Sequence, residues 1–106
     1  MIISTLEQIA GYKITESLGV VAGNTIRARH LGKDIVAGLR TVVGGEIKEY
    51  TGMLAESREQ SIQRMIEKGE ELNADGIIGV RFQTSMIMST TAELLAYGTA
   101  VKLQKI

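Results

Sequence analysis

A single histidine, His30, stands four residues before Asp34, and on a helix that spacing places both side chains on one face. An imidazole beside a carboxylate is the beginning of a divalent-metal site or of an acid–base pair, so His30 and Asp34 are the metal-ligand candidates of this chain. The competing reading is architectural: a histidine at a helix start with Asp34 in the first turn, where the dipole favours an anion. Soft metals ask for more than two donors, as thiolates, thioethers or imidazoles within about 2 to 2.5 Å of one centre. This sequence has one histidine and no cysteine. Met86 and Met88 suggest a second arrangement, because residues two apart on a strand point the same way and a pair of thioethers suits Cu(I). They also continue the apolar series Ile78, Val80 and Phe82, which makes core packing or an apolar subunit contact their expected role.

Nucleophilic catalysis needs a nucleophile, a base and a group that orients the base. Ser4, Ser17, Ser57, Ser61, Ser85 and Ser89 supply hydroxyls, but His30 is the sole base of suitable pKa, and no nucleophile-elbow pattern surrounds any serine. No catalytic residue is assigned, and a non-enzymatic protein is expected. Glu46 and Glu49 resemble paired carboxylates, yet three residues apart at a helix start they are accounted for as dipole-favoured acids. Arg27, Arg29 and Arg40 would make a surface for an anionic ligand if gathered; solvated arginines, or ion pairs to Asp34, Glu46 or Glu49 across an interface, are the simpler expectation. The stretch VVGGEIKEY, residues 42–50, carries two glycines but lacks the preceding strand and the lysine with serine or threonine of a phosphate loop. Gly44 and Gly45 are read instead as the hinge between two helices, with Tyr50 delivered to a buried or interface position.

The elements that must position these residues follow from hydropathy patterning. Alternation of Tyr12, Ile14, Leu18, Val20 and Ala22 predicts a first strand with a bulge at Gly19, and Gly23-Asn24 reads as a turn. A second strand, residues 25–29, sends Ile26 and Ala28 one way and Arg27 and Arg29 the other. Leu31, Ile35, Leu39, Val42 and Val43 predict a helix over about 32–43. Ile47, Tyr50, Leu54, Ile62, Met65 and Leu72 predict a longer one over about 46–72, with Glu56, Glu59, Gln63, Glu67 and Glu70 opposite and Asn73 as a left-handed cap. Residues 76–88 and 94–105 then form an antiparallel hairpin turning at Ser89-Thr90-Thr91. The fold class is α+β: a two-layer protein with an antiparallel sheet and the order strand, strand, helix, helix, strand, strand.

Length and composition bound what such a fold does. The 106 residues form one domain, 1–106, and 12 basic against 12 acidic side chains leave no net field to attract nucleic acid or an anionic membrane. With no tryptophan and one phenylalanine there is little on which to stack bases. The N-terminus lacks the pattern of a secretory leader, no apolar run approaches the roughly 20 residues of a spanning helix, and cysteine is absent. A soluble cytoplasmic protein is expected.

The stretches GVVAGNTIRARHLGKDIVAGLRTVVGGEIKEYTGML, ADGIIGVRFQTSMIM and AELLAYGTAV closely resemble the YbjQ-like family, small bacterial and archaeal proteins that carry a heavy-metal-binding label. The likeness covers nearly the whole chain. It implies a β-α-β-β type subunit, similar to dodecin subunits, with sheets joined around a homopentameric ring, so the expected partner is another copy of the chain. Ser57 stands where alanine is commoner in the family and Asn73 where glycine is commoner. The resulting functional expectation is a ring-forming, non-enzymatic oligomer. The alternative is a module that binds a divalent or soft metal ion, or a small ligand, at a subunit interface.

Overall fold

Seventeen consecutive residues, Tyr12–Ala28, form one strand where the sequence suggested two. The computed structural model describes residues 1–28, 48–88 and 91–106. In chain order these make β1 (Ile2–Ile3), β2 (Tyr12–Ala28), α1 (Lys48–Glu71), β3 (Gly76–Met88) and β4 (Thr91–Lys105). The predicted helix over 32–43 and the glycine hinge at Gly44 and Gly45 lie outside the described residues. So the α+β class holds, with one helix among the described residues.

The strands lie in the order β1-β3-β4-β2. β4 pairs antiparallel with β3, as expected of the hairpin, and also with β2, but β1 runs parallel to β3 through Ile2↔Gly76 and Ile3↔Ile77. The sheet is therefore mixed, not antiparallel throughout. Two residues are too few to show an alternation, and β1 is held by backbone bonds: Ser4 N–H donates to Ile77 O at 2.9 Å, Val80 N–H to Ser4 O at 3.0 Å and Gly79 N–H to Leu6 O at 2.8 Å. Arg81 Nη1 adds a bond to Thr5 O at 2.7 Å.

Gly19 is the expected bulge. Its φ of +114° suits glycine, and the β2–β4 register shifts between Ser17 and Gly19. A one-residue shift exchanges the two faces of a strand. Beyond it Val21, Gly23 and Thr25 are buried, while Val20 is 76% exposed and Ala22 and Ile26 face outward. Val20 and Ala22 are thus not on the buried side that the uninterrupted alternation predicted. Gly23 is not a turn either, because a Cβ built there would overlap the Ser61 carbonyl oxygen and the Met65 amide nitrogen. The helix backbone rides directly on this glycine.

That close approach decides which helix face is inside. Among the described side chains of α1 the buried positions are Ser57, Ser61, Met65 and Gly69, every fourth residue, and three of them are small. Leu54 and Leu72, expected on the apolar stripe, are exposed at its margins, whereas Glu56, Glu59, Gln63, Glu67 and Glu70 face solvent as predicted. Small residues also line β4 beneath the helix, at Ala96, Gly98 and Ala100. Val21, Met65, Ile77, Val80, Ala96 and Ala100 form the core, with Leu18, Ile62, Ile66 and Ala74 packed against it. Each fully buried large side chain, such as Met65 or Ile77, contributes about 1.5–3 kcal/mol.

Asn73 ends α1 as expected, with φ of +59°. Asn73 N–H donates to Glu70 O at 2.9 Å and Ala74 N–H to Gly69 O at 3.0 Å, the paired bonds of a Schellman cap. Asp75 then ties the chain to β4. Its Oδ2 accepts from Leu103 N–H at 2.9 Å and its Oδ1 lies 3.5 Å from Lys102 Nζ. The Leu103 N–H and the Lys102 charge hold this carboxyl below the usual aspartate range, against a smaller opposing effect of desolvation.

Candidate functional site

Polar chemistry inside this fold collects where the end of β2 meets the first half of α1. Ser57 and Ser61 are four apart on α1 and face Thr25, and all three are buried. Ser61 Oγ donates to the Leu94 carbonyl at 2.9 Å and lies 3.3 Å from Thr25 Oγ1, whose hydroxyl also reaches the Ser57 carbonyl at 3.4 Å. Ser57 Oγ accepts from Arg27 Nε at 2.9 Å. The same guanidinium donates through Nη2 to Gln60 Oε1 at 2.8 Å and lies 3.5 Å from Glu56 Oε1. Arg27 thus faces the helix, and its partners are Glu56, Ser57 and Gln60, one helical turn of acceptors.

A cavity of about 20 Å³ lies beside this cluster, lined by Arg27, Ser57 and Thr84 with Leu54, Ala92 and Leu94. That is room for one water, not for an organic ligand. On the opposite face of the sheet Asn24 Nδ2 donates to Glu93 Oε2 at 3.1 Å. Every buried side-chain nitrogen or oxygen among the described residues has a hydrogen-bond partner. The cluster has the properties of a clasp between strand and helix, with a hydroxyl seam on its dry side and an arginine at its wet end.

The residues singled out from the sequence fall in several places. His30, Asp34, Arg29, Arg40 and Glu46 lie outside the described residues, as does the side chain of Tyr50. Met86 and Met88 are 66% and 60% exposed, so the core-packing role does not hold within one subunit. The register also shifts between them, Met86 pairing with Ala92 and Met88 with Thr91, which breaks the alternation that would align two sulfurs. A second shift between Ile78 and Arg81, at Gly79 with φ of +61°, breaks the same apolar series earlier. Of the serines considered as nucleophiles, Ser57 and Ser61 are consumed by the clasp. The sequence did carry a signal for them, since Ser57, Ser61, Met65 and Gly69 recur at intervals of four. Hydroxyls on a helix read as polar face until a glycine opposite makes them the residues small enough to fit.

No described helix is long and apolar enough to cross a membrane. A family model described as "Putative heavy-metal-binding" matches residues 1–104. A UPF0145 protein of Pseudothermotoga lettingae is 56% identical over 106 residues, covering 100% of each chain. One from Methanosarcina acetivorans is 58% identical over 103 residues, 97% of each. The fold is similar to a crystal structure of a DUF74-family protein of unknown function from Pediococcus pentosaceus, with TM-score 0.71, 22% identity and 98% of both chains covered. Similarity on this scale, end to end with bacterial and archaeal relatives, places the chain in a family: it belongs to YbjQ_1.

Proposed function

We propose that this chain works as one subunit of a closed homo-oligomeric ring, the homopentamer that the family resemblance implies, and performs no catalysis of its own. The observation that carries the reading is the placement of α1. The helix packs on β2 and β4, and toward the end of β3 the apolar Phe82, Met86, Ile87 and Met88 are all exposed, on both faces of the strand. Large apolar side chains left exposed together near one strand end suit an interface. The subunit is also extended, 54 × 25 × 16 Å with a radius of gyration of 17.3 Å, where a compact domain of about 100 residues has about 13 Å.

The sheet adds a directional argument. Among the described residues β2 has no strand on its outer side, and on the opposite margin β1 covers only the first residues of β3. Open edges call for cover. Two different edges on opposite sides of one sheet favour head-to-tail contact, which is satisfied throughout only when it closes into a ring. Balanced charge supports self-association over nucleic acid or a membrane as partner, and the absence of cysteine suits the cytoplasm.

The family description favours a second reading, in which the ring holds a metal ion or a small ligand between subunits, with His30 and Asp34 as the ligand candidates. Light scattering on the native protein at micromolar concentration tests the ring first. The expected mass is about five times the 11.5 kDa of one chain; a single species at the mass of one chain would remove the proposal.

A further inference from the structure

We infer that this chain takes up no thiophilic metal ion, against the heavy-metal description of its own family. The inference rests on the kinds of donor the chain carries, which assembly multiplies but does not change. Ions such as Cu(I) and Cd(II) are held by thiolates, by converging thioethers or by several imidazoles. The chain has no cysteine, so thiolate is missing from every copy, and one histidine per chain supplies a single imidazole. The remaining soft donors are five methionines.

Among the methionines with described side chains the structure shuts one away and leaves the others without a shared face. Met65 is fully buried in the core between α1 and the sheet, where its sulfur packs and has no open side. Met1 is half-exposed, but its thioether lies alone beside Gly69, within 3.4 Å of where a Cβ there would stand. Met86 and Met88 are reachable, but the register shift between them breaks the strand alternation on which a shared sulfur face depends. Among the described residues no three histidine, cysteine, aspartate or glutamate side chains converge. Each copy adds one imidazole, from His30, and in Asp34 a hard carboxylate that thiophilic ions do not favour.

Calorimetric titration of the full-length native protein with Cd(II), and with Cu(I) under reducing, anaerobic conditions, tests this directly. The expected result is no saturable uptake of either ion in the micromolar range, in wild type and in His30→Ala alike. Saturable uptake of either ion by the wild-type protein, with a micromolar or tighter Kd, would overturn it. A monomeric mass would defeat the ring while leaving this inference to stand or fall on the titration alone.

Discussion

Two stretches of the same sheet present apolar residues and treat them in opposite ways. Under α1, Val21, Gly23 and Thr25 meet Ser57, Ser61, Met65 and Gly69 so closely that backbone touches backbone, and the interior is completed with small side chains and hydroxyl bonds. Toward the end of β3, Phe82, Met86, Ile87 and Met88 are larger and more apolar, yet stand in the open. Hydrophobicity by itself therefore does not say what is inside this subunit. Burial follows from fit, and the large side chains left over are material for a surface that one copy does not provide.

Substitutions can break this contrast in order of size. Gly23→Ala places a methyl on the backbone of Ser61 and Met65, so α1 must lift, and a loss of more than about 3 kcal/mol is expected in urea unfolding. Met65→Ala empties a fully buried site and costs about 3 kcal/mol. Its counterpart Met86→Ala is expected to leave the dissociated subunit within about 0.5 kcal/mol and to act on assembly instead, and a loss in the dissociated subunit equal to that of Met65→Ala would erase the contrast.

The clasp sharpens the comparison at smaller cost. Arg27→Ala strips a charged donor from Ser57 and Gln60 and is expected to cost about 1.5 kcal/mol. Ser57→Ala should cost less than about 1 kcal/mol, because the partly exposed guanidinium keeps Gln60 and Glu56. A double-mutant cycle between the two positions measures the coupling, and strict additivity would show that the 2.9 Å bond contributes nothing.

Smallest is the acid response of Asp75. Its carboxyl titrates lower in the folded chain than in the unfolded one, so its contribution is complete above the unfolded value and disappears as pH falls through the lowered folded value. Unfolding midpoints taken from neutral pH down through the carboxylate range should decline less steeply in Asp75→Asn than in wild type. Equal slopes would mean that the Leu103 and Lys102 contacts do not favour the ionised carboxyl.

Much of the architecture was legible where a residue type states a backbone demand directly. Gly19 and Asn73 were read as bulge and cap, and both adopt positive φ. The long helix and the final hairpin lie close to where periodicity placed them, at Lys48–Glu71, Gly76–Met88 and Thr91–Lys105. Gly23 shows why the rest was not. Glycine serves a turn and a close helix approach equally well, and only the helix overhead tells them apart. Each register shift then reversed a parity that the sequence displayed as continuous, so Val20 came out exposed and the Met86–Met88 alignment was lost. The clasp was hidden for a related reason: Ser57 and Ser61 look like solvent-facing hydroxyls unless the glycine and threonine that face them are already in place. His30 and Asp34 lie outside the described residues, so these contrasts do not bear on them.

Methionine oxidation tests the central claim, that the bare stretch of β3 is covered by another copy, most directly. Under dilute peroxide at neutral pH, peptide mass spectrometry follows Met65, which is fully buried, beside Met86 and Met88, which are 66% and 60% exposed in one subunit. If the assembled protein covers that surface, Met86 and Met88 oxidise as slowly as Met65 in the native state and all three react at the same rate in urea. Native Met86 and Met88 reacting as fast as in urea, while Met65 stays intact, would contradict the account.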